Sequence, residues 1–188
     1  MGYISQMFST KRLSLRAFQS GDEDKLLSLF NNALVAPMMN DGFVRPHGPK
    51  FKETLKEIAE GSLMFCVIEE VEGEAFVGMA GFFNKPEAKN RCGEISIAIL
   101  PEFWNKGYGT EAIRFMVDHG FHSLALHRIS LGVHAINDRA IAVYRKIGFI
   151  EEGRIRERVW VNGAWTDAVW MGLLAKEWAE KKRSSASQ

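Results

Sequence analysis

A short turn containing two glycines is the segment of this sequence best suited to binding an anionic ligand. It lies between a predicted strand that ends at Leu100 and a predicted helix that begins near Tyr108. Glycine has no Cβ, so the backbone can approach a ligand closely. The first amides of a helix have no partner within the helix, and the helix dipole favours a negative charge beside them. The sequence therefore predicts a phosphate site on the backbone of Asn105, Lys106, Gly107, Tyr108, Gly109 and Thr110.

The same turn has other interpretations. Two glycines also permit a tight strand-to-helix connection that binds nothing. The stretch from Gly107 to Ala112 matches the dinucleotide pattern Gly-x-Gly-x-x-Ala, but that pattern should follow its strand directly, and Pro101–Lys106 intervenes. The next strand, Arg128–His134, carries no acidic residue that could hold a ribose. A P-loop is excluded because Lys106 precedes its glycine instead of following it.

A second informative stretch is the predicted helix Asn137–Ile147. Asn137 and Tyr144 are seven residues apart, so they lie on nearly the same helical face, with the small Ala140 between them. This arrangement leaves a groove in which Asn137 can bind an amide-rich ligand and Tyr144 can donate a proton to a leaving thiolate. The alternative is purely structural, with Asn137 as an N-cap and Tyr144 as a core aromatic residue.

The length of 188 residues and the absence of a linker predict a single domain, residues 1–188, with its core at about residues 11–175. The polar, Ser-rich tail at about residues 181–188 is expected to be disordered. The predicted strands are Lys11–Ala17, Leu63–Glu69, Ala75–Asn84, Cys92–Leu100, Arg128–His134, Phe149–Val161 and Trp165–Leu174. One predicted helix follows Ser20, which is its expected N-cap and forms a capping box with Glu23. A second is predicted over Lys50–Glu60, where Gly61 should end it. Two further helices are predicted over Tyr108–Phe121 and Asn137–Ile147. The fold class is α+β, with a mixed, mostly antiparallel sheet of about seven strands flanked by about four helices.

Taken together, the two motifs resemble the GNAT superfamily of acyl-CoA-dependent N-acetyltransferases. The shared features are Gly-x-Gly entering a helix, then a strand, then Asn-x-x-Ala-x-x-x-Tyr-x-x-x-Gly-Phe. Within the superfamily, Pro101–Ala112 and Val161–Asp167 are similar to the ribosomal-protein N-terminal acetyltransferases and the spermidine acetyltransferases. The wider superfamily usually has Gln or Arg where this chain has Trp104, so no role is assigned to that side chain.

The resemblance implies an acetyl-CoA site and a set of binding residues. The backbone of Asn105 to Thr110 would hold the pyrophosphate of acetyl-CoA. Edge groups of Ile97, Ala98 and Ile99 would pair with the pantetheine amides as an added strand. Asn137, beside Ala140, would touch the pantetheine arm, and Tyr144 would lie near the thioester sulfur. No metal is implied.

Acetylation of an amine requires a base, because a primary alkylamine has a pKa near 10 and is protonated at neutral pH. Glu94 is the candidate base. In the strand Cys92–Leu100, the residues Glu94, Ser96 and Ala98 should share the face opposite Ile95, Ile97 and Ile99. The alternative role for Glu94 is a cross-strand partner for Lys or Arg. Backbone amides near Ala98 or Ile99 could stabilise the oxyanion, and direct attack in a ternary complex is expected.

Composition and isolated polar residues limit the other classes of function. Hydrophobic residues make up 46% of the chain, charged residues 25%, and the net charge is +1, so a nucleic-acid partner is not expected. No apolar stretch reaches the roughly 20 residues of a membrane span. Cys66 and Cys92 are expected to be buried reduced thiols, which favours a cytoplasmic protein. The remaining candidates for metal ligands are interpreted as surface or edge residues: His119, His122, His127 and His134.

The acceptor and the assembly stay open at this point. A peptide or protein α-amine, a polyamine and an aminoglycoside-type amine all fit, with Pro37–Phe51 and the Asn162-Gly163 hairpin as candidate acceptor walls. Asp41, Glu94 and Glu152 are acidic residues that could attract a cationic acceptor. The chain is expected to act as a monomer or a homodimer. The alternative function is a non-catalytic acyl-CoA-binding or regulatory module on the same fold.

Overall fold

The computed structural model describes residues 8–39, 44–83 and 89–186. The strands in these residues are β1 (Phe8–Ser9), β2 (Leu13–Arg16), β3 (Met64–Glu70), β4 (Phe76–Phe82), β5 (Cys92–Ile99), β6 (Arg128–His134), β7 (Ile150–Val161) and β8 (Ala164–Leu174). The helices are α1 (Asp22–Phe30), α2 (Ala36–Met39), α3 (Phe51–Gly61), α4 (Tyr108–His122), α5 (Asp138–Ile147) and α6 (Ala175–Ala186), and a 3-10 turn spans Pro101–Phe103.

The chain divides into two compact units, and each is built from separate stretches of sequence. Among the described residues, the first unit holds 8–39, 44–83 and 96–116, and the second holds 89–95 and 117–186. Strand β5 and helix α4 therefore each contribute residues to both units. The expectation of one domain over residues 1–188 stays a prediction.

The first unit is a sheet in the order β1-β2-β3-β4-β5, with helices α1 to α3. The pairs β1–β2, β2–β3 and β3–β4 are antiparallel, as expected for strands joined by short turns or returning after helices. Its hydrophobic core brings the helices against the sheet. The buried core residues are Leu26, Leu29, Phe30, Val35, Leu55, Met79 and Ala98.

A buried ion network connects three elements of the first unit. Arg16 of β2, Asp22 at the start of α1 and Glu69 of β3 are 5%, 3% and 9% exposed. All five N–H groups of the Arg16 guanidinium donate: to both carboxylates at 2.5 to 2.9 Å and to the carbonyl of Ala17 at 3.1 Å. Lys25 adds a half-exposed ammonium 3.1 Å from Glu69. The network fixes the N-terminus of α1 against β2 and β3.

The second unit is a sheet in the order β5-β6-β8-β7. The first three residues of β5 pair in parallel with β6, from Cys92↔Arg128 to Glu94↔Ser130. Strand β8 returns antiparallel between β6 and β7, because Asn162 and Gly163 both have positive φ values of 50° and 84° and make a tight hairpin. The buried residues of this unit include Ile129, Leu131, Val133, Ile141, Ile147, Phe149, Val169, Met171 and Leu173.

The α+β class and the mixed, mostly antiparallel pairing are confirmed, with eight described strands instead of about seven and six described helices instead of about four. Three elements have no predicted counterpart: β1 has two residues, α2 has four, and α6 follows β8 directly. Short elements carry too few residues for a periodic pattern, so periodicity does not detect them.

Two predicted helix ends differ from the structure. The N-cap of α1 is Gly21, with φ 98°, and not Ser20. The amide of Gly21 donates to the Glu23 carboxylate at 2.6 Å and the amide of Gln19 donates to Asp22 at 2.8 Å, so two acidic side chains accept from amides at and before the start of α1. Gly61 is the last residue of α3 instead of its stop signal, and Ser62 leaves the helix in an extended conformation.

Residues 181–186, which the sequence predicts as part of a disordered tail, continue helix α6 to Ala186. Its Trp178 ring packs 5.5 Å from Phe121, and the Trp178 indole donates to Asp118 at 2.6 Å. The Lys181 ammonium donates to the carbonyls of Lys146 and Ile147 at 2.9 Å each, which satisfies the end of α5. Tertiary contacts thus order a segment whose composition is polar.

The predicted surroundings of two polar residues are also corrected. Cys92 is exposed, because it begins β5, whereas Cys66 is buried as expected and desolvation raises the pKa of its thiol to about 12. His134 is 6% exposed, because β6 is an interior strand, so it is not a surface residue.

Among the described residues there is no group of three or more potential ligands that could hold a metal ion. None of the described helices is both long enough and apolar enough to cross a membrane.

Candidate active site

The predicted phosphate turn, residues 105–110, has a backbone conformation that few sequences can adopt. Asn105 and Gly107 both have left-handed φ values, 59° and 83°. Helix α4 begins at Tyr108, and the first amide that donates to a carbonyl of its own turn is that of Glu111, to Gly107 at 3.0 Å. The amides of Gly107, Tyr108, Gly109 and Thr110 precede that bond, as the first four amides of any helix do. A left-handed residue beside a helix start directs amides to a common side, which suits an anion.

The glycine turn is held in place by Arg12, the residue before β2, which forms an ion pair with Glu111. The Arg12 guanidinium donates through Nη1 to the carbonyl of Lys106 at 2.8 Å and through Nε to Oε2 of Glu111 at 2.8 Å. The other Glu111 oxygen accepts from the Arg12 amide at 2.9 Å and from the Thr10 hydroxyl at 2.6 Å. Partial burial raises the pKa of Glu111, but these hydrogen bonds outweigh it and the pKa is lowered. Glu111 is therefore ionised at neutral pH.

Two aromatic side chains fix the turn further. The Tyr108 ring lies 4.4 Å beneath the Arg12 guanidinium, and its hydroxyl donates to Glu70 at the end of β3. The Trp104 indole donates to the carbonyl of Ile99 at 2.7 Å. This bond ties the 3-10 turn to the end of β5, which gives the side chain at the unassigned position a structural role.

Strand β5 has buried residues at both odd and even positions. Ile95 and Ala98 are both buried, at 4% and 5% exposure, while Ile97 and Ile99 are half-buried. Side chains three positions apart in a regular strand point to opposite faces, so this burial is compatible with the expected alternation. Ala98 belongs to the hydrophobic core of the first unit.

The backbone at Ala98 and Ile99 is approached closely by β4. A Cβ built on Gly78 would lie 2.0 Å from the Ala98 carbonyl oxygen, so this position accepts only glycine. The next amide, that of Leu100, donates to the Val77 carbonyl at 2.9 Å. The stretch expected to bind pantetheine, Ile97 to Ile99, is therefore held on one side by β4.

Helix α5 places the second motif in the second unit. Asn137 is the N-cap, and its side-chain oxygen accepts from the amide of Ala140 at 3.2 Å. Tyr144 is 8% exposed, packs edge-to-face on Phe149, and desolvation raises the pKa of its hydroxyl to about 12. Both structural roles considered for these residues, a cap and a packed aromatic ring, are present. They do not exclude ligand contacts, because the amide nitrogen of Asn137 takes no part in the cap.

Glu94 is half-buried in the part of β5 that pairs with β6, opposite Ser130. It belongs to the second unit with Asn137, Ala140 and Tyr144, whereas Ile97 to Ile99 and the glycine turn belong to the first. The predicted residues therefore fall into two sets: the glycine turn and the end of β5 in the first unit, and both candidate catalytic side chains in the second.

The candidate acceptor walls are partly described. Asp41 lies outside the described residues. Glu152 is held by a two-point ion pair with Arg128, whose hydrogen bonds lower the pKa of this carboxyl, so its charge is already balanced. The side chain of Asn31 bonds both backbone groups of His47, at 2.8 and 3.0 Å, beside a surface pocket of about 420 Å³. The pocket is lined by Arg45, Pro46, His47, Gly48, Lys50, Phe51, Glu53, Thr54 and Glu57.

Sequence reasoning missed Arg12, Glu111 and Glu70 as supports of the glycine turn. Arg12 and Glu111 are separated by 99 positions in the sequence, and no local pattern connects them. Glu111 carries one detectable signal, because an acid in the first turn of a helix beside an expected anion site would need a cation partner. The sequence does not say which of its many Lys and Arg residues supplies it.

Comparison with known proteins identifies the family to which this chain belongs. The family profile described as an acetyltransferase (GNAT) domain matches residues 12–150. The spermidine N(1)-acetyltransferase of Vibrio cholerae is 29% identical over 174 residues, covering 90% of this chain and 97% of that protein. A Bacillus subtilis protein named as a ribosomal N-acetyltransferase, YdaF, is 37% identical over 105 residues, 56% of this chain and 57% of YdaF.

A solved structure shows the same fold. The crystal structure of spermidine N-acetyltransferase from Vibrio cholerae, in complex with CoA and spermine, superposes with a TM-score of 0.80 at 27% identity, covering 90% of this chain and 99% of that one. These matches confirm the predicted fold and the two branches that the motifs resemble. The chain belongs to the GNAT family of acetyltransferases, and its enzyme class is that of an acetyl-CoA-dependent N-acetyltransferase.

Proposed function

We propose that the protein transfers an acetyl group from acetyl-CoA to a primary amine by direct attack in a ternary complex. The observation that carries the proposal is the glycine turn, where two left-handed residues precede a helix whose first four amides have no intrahelical acceptor. Such a backbone suits the pyrophosphate of CoA, because the amides and the helix dipole act on the same negative charge.

Beside the glycine turn, the resemblance to the family implies donor contacts from residues of β5 and of α5. The backbone of Ile97, Ala98 and Ile99 would bind the pantetheine amides. Because the side-chain oxygen of Asn137 caps α5, its contact with the pantetheine arm falls to the amide nitrogen. Ala140, one turn further along the helix, leaves room for the arm because its side chain is a single methyl group.

In the proposed reaction, Glu94 takes a proton from the ammonium form of the acceptor, directly or through a water molecule. The freed electron pair of the nitrogen attacks the thioester carbonyl, and the carbonyl oxygen carries the charge of the tetrahedral intermediate. Collapse of that intermediate breaks the C–S bond and releases the CoA thiolate. The acetyl group is transferred once, with no acyl-enzyme.

Tyr144 would stabilise the leaving thiolate as a neutral hydrogen-bond donor. Burial raises the pKa of its hydroxyl to about 12, so it stays protonated throughout the neutral and mildly alkaline range. Full transfer of that proton to a thiolate would be unfavourable, because the conjugate thiol has a pKa of only about 8.5, well below that of the Tyr144 hydroxyl. We therefore assign the stabilisation to a hydrogen bond, with final protonation of the thiolate from the released amine proton or from solvent.

The acceptor proposed first is a polyamine. Support comes from the spermidine N(1)-acetyltransferase of Vibrio cholerae, whose match covers 90% of this chain, whereas the match to YdaF covers 56% of it. Half-buried Glu94 carries charge of the sign that a polyammonium ligand requires.

The test is a thiol-release assay with acetyl-CoA and a panel of spermidine, spermine, short peptides with free α-amines, and aminoglycosides. We expect the polyamines to give the highest kcat/KM, with mass spectrometry showing one added acetyl group per turnover. A preference for peptides would replace the polyamine with an N-terminal α-amine. Tight CoA binding with no acetylation of any amine would support the non-catalytic alternative.

The glycine turn is tested by Gly107→Ala. Alanine in the left-handed region is disfavoured by about 1–2 kcal/mol, and its Cβ would lie 3.3 Å from the Arg12 guanidinium. We expect the turn to relax away from the left-handed conformation and CoA affinity to fall about tenfold, since 1.4 kcal/mol corresponds to a factor of ten. Isothermal titration with CoA measures the loss.

Gly73→Ala is the matched control. Gly73 has nearly the same φ, 85°, with no atom within 4 Å of the new Cβ, and it lies in the hairpin between β3 and β4. The strain should lower its thermal stability by a similar amount while CoA affinity stays unchanged. Equal losses of CoA affinity in the two variants would show that the conformation of the glycine turn does not matter for CoA.

A further inference from the structure

We propose that Arg12 is a positioning residue for the diphosphate of the acetyl donor: it holds the glycine turn through Lys106 and Glu111, and it neutralises the Glu111 carboxylate. The inference rests on the proposed function, because it needs the turn to bind CoA. It adds the Arg12–Glu111 ion pair, which lies outside residues 105–110, to the residues that determine binding of the diphosphate part of the donor.

The first argument is geometric. A single guanidinium bonds the last residue before Gly107 and the residue that makes the first intrahelical hydrogen bond, through the Lys106 carbonyl at 2.8 Å and the Glu111 carboxylate at 2.8 Å. The amides expected to bind the anion lie between these two points of attachment. Arg12 therefore fixes the spacing of the backbone amides across the glycine turn.

The second argument is the rigidity of Arg12 itself. Its backbone amide and the Thr10 hydroxyl both donate to Oε1 of Glu111, at 2.9 and 2.6 Å, and its guanidinium stacks 4.4 Å over the Tyr108 ring. A planar guanidinium held at several points loses little further freedom when a ligand binds, which is the advantage of a preorganised site.

The third argument is electrostatic. Glu111 lies in the first turn of α4, so an unbalanced carboxylate would repel a diphosphate bound at the same helix end. The carboxylate side chain is 18% exposed and the guanidinium 40%, so both charges are only partly screened by water. With Arg12 in place, the pair is neutral and the amides of the turn are left to attract the anion.

The experiment compares two acyl donors, acetyl-CoA and S-acetylpantetheine, which lacks the diphosphate. The variants are Arg12→Met, Arg12→Met with Glu111→Gln, Arg12→Lys and, as a matched control, Arg114→Met, which removes an exposed cation from the same helix. Each is assayed with a saturating amine acceptor, and its thermal midpoint is recorded.

We expect Arg12→Met to raise the KM for acetyl-CoA about tenfold, the loss of one charge-assisted hydrogen bond. Its kcat, and its kcat/KM for S-acetylpantetheine, should stay at the wild-type values. Adding Glu111→Gln should recover about threefold of the lost affinity, because the repelling charge is gone. Arg12→Lys should lie between Arg12→Met and wild type, and Arg114→Met should match wild type.

Several results would overturn the inference. One is an unchanged KM for acetyl-CoA in Arg12→Met, and another is an equal loss with both donors, which would indicate a general loss of fold. If Arg12→Met does not fold, Arg12→Lys decides the question. A wild-type KM for acetyl-CoA in Arg12→Lys would show that the paired guanidinium contacts with Lys106 and Glu111 are not needed for donor binding. The proposed diphosphate site fails separately, when the wild-type protein uses both donors with the same kcat/KM.

Discussion

Replacing Arg16 by methionine is expected to destabilise the protein by about 3–5 kcal/mol, the usual cost of removing one partner from a buried ion network. The substitution leaves the carboxylates of Asp22 and Glu69 in an interior where they are 3% and 9% exposed. Among the described cations, Lys25 would remain beside them, and its side chain is 44% exposed. The free energy of unfolding from urea titration measures the loss.

The pH dependence of this variant should have the opposite sign to that of the wild type. Burial raises the pKa of Asp22, but its hydrogen bonds to Arg16 and Gln19 outweigh that effect and the pKa is lowered; the hydrogen bond from Arg16 lowers the pKa of Glu69. In the wild type, these carboxylates contribute stability that is present above about pH 4, their unfolded range, and is lost as pH falls through their lower folded values.

In Arg16→Met, burial without the guanidinium raises the folded pKa of both carboxyls above the unfolded values. Protonation then favours the folded state, so the variant should gain stability as pH is lowered from 7 to about 5. Arg154→Met is the matched control, because Arg154 pairs with Glu151 and Asp167 on the surface and such pairs contribute about 0–1 kcal/mol. The assignment would be contradicted if Arg16→Met lost no more stability than the surface control, or if its loss did not depend on pH.

The contrast between Arg16 and Arg12 shows which parts of the fold the sequence could predict. Both lie in the predicted first strand, and alternation places that strand correctly within a few residues. The partners of both arginines are far away in sequence, at separations of 53 residues for Glu69 and 99 for Glu111. Periodicity is a local property, so it identifies the strand and leaves its ion pairs unspecified.

The glycine turn was predictable because its chemistry is local. Gly107 needs a left-handed backbone, Tyr108 begins a helix, and both facts are visible in six consecutive residues. The close approach of β4 to β5 was not predictable, because it joins Gly78 to the Ala98 carbonyl, 20 positions further along the chain. Helix α6 was missed for a similar reason: its order comes from contacts of Trp178 and Lys181 with distant elements.

Replacing Glu94 by glutamine is expected to lower kcat by about 100-fold or more, the usual contribution of a general base, and to leave the KM for acetyl-CoA unchanged. Glutamine has nearly the same size and fits the half-buried position in β5, but it cannot accept the proton of the ammonium group. The reaction of the variant must then wait for solvent to deprotonate the acceptor, whose pKa is near 10.

The variant should therefore show a distinctive pH profile. Below the pKa of the acceptor, kcat/KM for the amine should rise about tenfold per pH unit, following the fraction of neutral amine. Tyr144→Phe should lower kcat without this change of slope, because the hydroxyl assigned to the thiolate is not a base and stays protonated below about pH 12. Glu72→Gln, an exposed exchange of the same type in the β3–β4 hairpin, is the control and should match wild type.

These outcomes distinguish the two catalytic assignments from each other and from a loss of structure. A pH profile of Glu94→Gln that parallels the wild-type profile would remove Glu94 from the mechanism, even if kcat fell. A rise in the KM for acetyl-CoA with kcat intact would place Glu94 in donor binding instead. The predicted combination, a large loss of kcat with a profile that follows the neutral amine, arises only when the missing carboxylate is the group that deprotonates the acceptor.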